Sequence, residues 1–160
     1  MKSSFIRIIL PFCFMAVFMS CGDKALVNEI VHIPSKGWKY DDVKKFSFSV
    51  TDTSQAFDLY VHVRNTKQYN YCNLWLNIKA TSPLGDIQTT REEIILADEA
   101  GNWLGEGGRS TNTLLHPYRK NFKFPYLGIY IIELQHAMRD STLQHVSDIG
   151  ILIETAKSKK

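Results

Sequence analysis

Apolar side chains recur at every second position through most of this chain, and a period of two restricts it to β-structure. Phe46, Phe48 and Val50 alternate with Ser47 and Ser49. Phe57, Leu59, Val61 and Val63 alternate with Asp58, Tyr60, His62 and Arg64, and Leu74, Leu76, Ile78 and Ala80 with Trp75, Asn77 and Lys79. Tyr130, Ile132 and Leu134 form a fourth such face, and Ile149, Ile151 and Ile153 a fifth. Successive side chains of a strand point to opposite faces, so each run turns one set to a core and the other to water. His62 and Arg64 are accordingly expected in solvent. Shorter candidate strands lie at 30–33, 87–96 and 122–124. Turn-forming clusters separate the runs: Pro34-Ser35-Lys36-Gly37, Asp52-Thr53-Ser54, Ser82-Pro83-Leu84-Gly85-Asp86 and Gly105-Glu106-Gly107-Gly108. Short strands punctuated in this way predict an all-β domain, a single antiparallel β-sandwich of jelly-roll type. Between residues 136 and 145 a short helix or turn is expected, with Met138 and Leu143 facing inward.

The first twenty residues obey a different rule. Lys2 and Arg7 precede an uncharged stretch from 8 to 19, and the small residue Ser20 stands directly before Cys21. That is the layout of a secretory signal peptide ending at a cysteine. The apolar stretch is interrupted by Pro11 and is shorter than the roughly 20 residues a spanning helix needs. Cys21 is therefore the expected lipidation site of a bacterial lipoprotein, although Phe18 and Met19 depart from the usual lipobox residues. The expected organisation is a signal peptide at 1–20, a lipidated tether at 21–28, a β-sandwich at 29–156 and a basic tail at 157–160. A mature chain of this size buries roughly two-thirds of its unfolded surface, enough for one self-sufficient core. Losing Lys2 and Arg7 lowers the formal net charge from +3 to +1. A nearly neutral chain lacks the basic stripe of a nucleic-acid surface. Cys13 leaves with the leader and Cys21 takes lipid, so Cys72 has no disulfide partner and is expected to serve as a small hydrophobe.

Catalytic patterns are missing. Glu92 and Glu93 are adjacent and would point to opposite faces of a strand, so they cannot act on one bond. The stretch Asp98-Glu99-Ala100-Gly101-Asn102 begins like a calcium loop, but Ala100 occupies a ligand position and Trp103 the sharp-turn glycine position. The five histidines show no zinc-site spacing, and His116, before Pro117, is expected in a loop. There is no nucleophile elbow and no phosphate-cradling glycine loop. No catalytic residue, metal or cofactor is expected. Aromatic residues near strand ends offer binding surfaces instead. Trp38, Trp75 and Trp103 are candidate stacking platforms for a glycan or peptidoglycan, set against the plainer role of plugging the core. The loop from Arg64 to Asn73 is rich in amides and tyrosine, a composition suited to a protein partner. Arg64, Asn65, Tyr69, Tyr71, Asn73 and Trp103 form the candidate partner-binding surface.

Several short stretches recur in order over the mature chain. They are Gly37-Trp38 with Asp41-Asp42-Val43, Asp52-Thr53, Arg64-Asn65-Thr66, Tyr69-Asn70-Tyr71 and Asn73-Leu74. Further on come Gly101-Asn102-Trp103-Leu104-Gly105, Gln135, Met138-Arg139, Leu143 and Asp148-Ile149-Gly150. In these the chain resembles the GldH family of gliding-motility lipoproteins of Bacteroidota, with Asn70 where that family usually has proline. The resemblance implies a non-enzymatic envelope lipoprotein, an accessory of the gliding and protein-secretion apparatus, with other envelope proteins as partners. It carries no catalytic residues and does not assert motility, since members occur in organisms that do not glide. Only Asp23 stands between Cys21 and Lys24 as an acidic residue, which favours the periplasmic face of the outer membrane.

Overall fold

The computed structural model describes residues 25–157. The leader, Cys21 with the first tether residues, and positions 158–160 of the tail lie outside them. Among the described residues the strands are β1 (Ala25–His32), β2 (Trp38–Lys39), β3 (Lys44–Val50), β4 (Ala56–Thr66) and β5 (Asn73–Thr81). They continue with β6 (Ile87–Ile95), β7 (Glu106–Gly107), β8 (Thr111–Lys123), β9 (Gly128–His136), β10 (Thr142–Leu143) and β11 (Val146–Thr155). One sheet has the order β1-β11-β4-β8-β7, a second β3-β9-β5-β6, and β2 and β10 pair separately. Every ladder is antiparallel. With the two-residue strands set aside, the eight long ones follow the double Greek-key order of a jelly roll, as the sequence predicts.

The alternating residues build the interior. Phe46, Phe48, Leu74, Leu76, Ile78, Ile132 and Leu134 of one sheet face Leu59, Val61, Val63, Ile149, Ile151 and Ile153 of the other, all buried. Where the pattern is one-sided the expected faces are correct. β8 departs from it, because only its last residues were expected as a strand. It pairs with β4 through register shifts around Leu59, which scramble its alternation. Pro117 is tolerated there because β8 has only the two-residue β7 on its far side. His116 is consequently a strand residue rather than a loop residue. No helix forms between 136 and 145; Leu143 is buried in β10 and Met138 packs against the core, facing inward as expected.

Four further expectations are corrected. β1 begins at Ala25, inside the segment assigned to the tether, because its backbone completes the edge of the first sheet against β11. His62 is buried, at 7% exposure, although it lies on the outer face. Its ladder neighbours are Gly150 and Leu115, in the middle of a four-strand surface that is too broad to leave a central imidazole wet. Trp38 is wholly buried, with its indole N–H donating to the Asp42 carbonyl at 2.7 Å, and so offers no stacking platform. Cys72 is an exposed free thiol rather than a packed one, since it sits in the loop just before β5.

The pairing also defines two ends. Ala25 pairs with Glu154, Glu154 with Asp58, and Ala56 with Lys123, while in the other sheet Val50 pairs with Gly128 and Thr81 with Ile87. The start of β1, the end of β11 and the loops 51–55, 82–86 and 124–127 thus share one end, called proximal here. The connections 33–43, 67–72, 96–110 and 137–145 lie at the distal end, about 30 Å away for strands of nine residues.

Candidate functional site

The distal end is organised by a tyrosine pair. A strand of alternating apolar residues must stop where Thr66 to Cys72 turn the chain from one sheet to the other, and Tyr69 turns into the gap that remains. It is buried at 5% exposure, and its hydroxyl donates to the Asn73 carbonyl at 3.0 Å. Burial pushes its phenol pKa up, so it stays a neutral donor. Tyr71 packs edge-on against it at 5.6 Å and Trp103 lies tilted at 6.5 Å. The second loop is tied to the first through backbone. The N–H groups of Leu96 and Ala97 both donate to the Cys72 carbonyl, at 2.7 and 3.0 Å. Asp98 closes its own turn by accepting from the Asn102 backbone and side chain at 2.7 and 3.0 Å. Those bonds, the side-chain one foremost, hold the Asp98 carboxyl below the usual carboxylate range.

A third segment completes the face. The Tyr71 hydroxyl donates to Asp140 Oδ2 at 2.8 Å, which raises the tyrosine pKa, and the Tyr40 N–H donates to the neighbouring Ser141 carbonyl at 2.9 Å. Tyr40 and Tyr71 therefore flank residues 139–141, with Arg139 and Asp140 exposed between them. Tyr40 is 49% and Leu104 53% exposed, so rigid aromatic and apolar area reaches solvent here. Beneath Tyr40 lies His136, wholly buried, its ring 5.7 Å from Tyr40 and 5.3 Å from Trp38 in edge contacts. Desolvation pushes the imidazole pKa below its ordinary value, with the Trp38 backbone working in the opposite sense.

The six residues of the candidate surface are divided by this arrangement. Tyr69, Tyr71 and Trp103 come together, but Tyr69 is the buried support and Tyr71 the accessible member. Asn65 is buried at 2% exposure, its amide donating to the Thr66 carbonyl, because it lies within β4 rather than in the loop. Arg64 stands on the outer face of the first sheet, donating to Thr113 at 3.0 Å and Asp148 at 3.3 Å. Asn73 donates to Glu93 at 2.6 Å on the outside of the second sheet. Tyr40 and Arg139 were missed by the sequence reading. Arg139 stands in the stretch Met138-Arg139 and Tyr40 between Gly37-Trp38 and Asp41-Asp42-Val43, but the 33–43 and 137–145 connections meet the Tyr69 loop only through the fold.

Chemistry elsewhere is sparse. Glu92 accepts from or pairs with His116 Nε2 at 3.1 Å, bridging β6 and β8 across the gap between sheets, while Glu93 points the other way. Among the described residues no cluster of three or more His, Cys, Asp or Glu could hold a metal ion. Of the remaining tryptophans, Trp75 lies half-buried beneath the Arg91 guanidinium, 5.2 Å away.

Comparison with known proteins agrees with the family resemblance. The family model described as GldH lipoprotein matches residues 25–153. The gliding motility lipoprotein GldH homolog of Christiangramia forsetii is 29% identical over 161 residues, covering 96% of this chain and 98% of the relative. The gliding motility lipoprotein GldH of Flavobacterium johnsoniae is 26% identical over 145 residues, 86% of this chain and 89% of that protein. No solved structure matches. With the family model spanning the sandwich from the start of β1 to Ile153 in β11, the chain belongs to the GldH lipoprotein family.

Proposed function

We propose that the protein is a lipid-anchored, non-enzymatic accessory of the gliding-motility and protein-secretion apparatus, held at the periplasmic face of the outer membrane by acylated Cys21. Its distal end docks on another envelope protein. The names of the two relatives support the gliding-motility part of this reading. The observation that carries the docking role is the distal face itself, where exposed Tyr40 and Tyr71 flank the charged residues Arg139 and Asp140, with exposed Leu104 on the 96–110 connection of the same end. Rigid aromatics beside adaptable polar groups are the composition of protein hot spots. Glycan stacking is less well supported, since Trp38 is enclosed and Trp75 is capped by Arg91. The test replaces Tyr40 and Tyr71 with Ala and Leu104 with Ser, leaving the buried Tyr69 intact. The variant should keep its thermal midpoint and lose at least one partner captured by the wild type from the native envelope. Capture of the full partner set by a stable variant would overturn the docking role.

A further inference from the structure

At the proximal end, apolar side chains stand out into solvent on neighbouring loops and strand starts. Leu84 is 70% exposed, Ile87 62%, Leu127 61% and Ile129 61%, with Tyr126 at 39%. They form one patch. Loop 82–86 touches loop 124–127, since a Cβ on Gly128 would lie 3.0 Å from the Pro83 Cβ. Ile87 and Ile129 open strands β6 and β9 on the same outer face, beside these loops. Behind the fringe lies a cleft of about 290 Å³ lined by Phe48, Phe122, Phe124, Tyr130 and Ile132, so the patch continues into aromatic surface. Hydrophobes at successive loop tips do not close the core, and a contiguous exposed set marks an interaction surface.

The covalent chain says what lies opposite. β1 starts at Ala25 on this end, four residues after Cys21. Four extended residues reach at most about 14 Å. A lipid on Cys21 therefore holds the bilayer within about 14 Å of Ala25, at the fringe's end of the sandwich and far from the distal tyrosines. Lys123 is exposed at the same end, and β11 finishes there, followed by Lys157, Lys159 and Lys160. Basic side chains around an apolar tip suit an anionic headgroup layer, and a second contact converts a flexible lipid tether into a fixed seat. Two acidic residues stand among these loop tips, and each is held by its own turn: Asp86 accepts from the Ser82 hydroxyl, and Asp52 accepts from the Ser54 N–H and hydroxyl. We infer that Leu84, Ile87, Tyr126, Leu127 and Ile129 form a membrane-contact face that seats the sandwich on the lipid surface with its distal end pointing away.

This inference rests on the lipid-anchor reading above, and the experiment separates the two. The full acylated mature protein is placed in vesicles of phosphatidylethanolamine and phosphatidylglycerol containing brominated acyl chains. An environment-sensitive fluorophore is attached either to native Cys72, at the distal end, or to L127C in a C72S background. The label at 127 should be blue-shifted and quenched about five-fold more strongly by bromine than the label at 72, in keeping with insertion to the headgroup–acyl boundary. Equal, weak quenching at both positions in membrane-bound protein would overturn the contact face and leave the anchor standing. Shielding of position 127 from iodide without bromine quenching would place a second copy of the chain there, and would also overturn it. Labelling of Cys21 itself would show an unacylated thiol and defeat the anchor, and with it the seat.

Discussion

A Cβ on Gly150 would overlap the Glu29 carbonyl and lie 2.9 Å from the Ile30 Cα, so only glycine lets β1 close against β11. The Asp148-Ile149-Gly150 stretch thereby acquires a physical reason: Asp148 takes His32 at 3.0 Å and Arg64 at 3.3 Å, while Gly150 admits the edge strand. Changing Gly150 to Ala should cost about 1–3 kcal/mol, the usual range for overpacking. A urea titration that shows an unchanged midpoint would contradict this account of β1. The two buried imidazoles set a pH dependence. Desolvation lowers the pKa of His62, with Arg64 acting in the same direction and Asp148 against it, and desolvation likewise lowers that of His136. The unfolded chain binds protons near 6.5 that the folded one refuses, so their contribution is complete above that value and falls away as the pH drops toward the lowered folded values. Stability measured from pH 7.5 down to 5 should decline, and replacing both with Gln should flatten the curve. An identical slope in the double variant would remove these residues from the explanation.

Elements differ in how openly the sequence declares them. β3, β5 and β9 have one face on the core and alternate cleanly, and β4 and β11 carry the same apolar period although their middles are buried on both faces, so the existence and register of all five follow from period two. β1 is an edge strand with little buried on either face, and most of β8 is obscured by register shifts. Neither leaves a clean alternation to read. The same limit applies to His62, whose burial depends on neighbours from β8 and β11 rather than on β4. Within β4, Val61→Asp places a carboxylate in the sealed interior, at 2% exposure, and should cost several kcal/mol and prevent folding. His62→Asp, tolerated if period two alone ruled, should also destabilise, by about 1–3 kcal/mol, because the outer face is covered there. Circular dichroism of the two variants checks both; a native melt for Val61→Asp would refute the register. In the distal loop the same reasoning separates Tyr69 from Tyr71. Removing the Tyr69 hydroxyl with Phe should cost about 1 kcal/mol by leaving the Asn73 carbonyl short of a partner.

At the scale of the molecule, the jelly roll places Ala25, the first described residue, and the distal tyrosines at opposite ends. That separation was not legible in the sequence, where Cys21 and Tyr71 carry no sign of their relative position. What the sequence did show was the leader ending at Cys21 and the amide- and tyrosine-rich loop, two local signals. Under the proposed function the fold gives these two signals a polarity, with the lipid anchor at one end and the docking face at the other. The proposed role and the membrane seat both depend on the anchor being at Cys21, so acylation is the measurement that tests the central claim most directly. Cells are fed a clickable palmitate analogue, and the wild-type chain is compared with Cys21→Ala by gel fluorescence and by mass spectrometry of the mature N-terminus. The account predicts a labelled wild-type chain beginning at Cys21 and an unlabelled, incompletely processed variant. Label retained by Cys21→Ala, or a mature wild-type chain with no acyl group on Cys21, would contradict it.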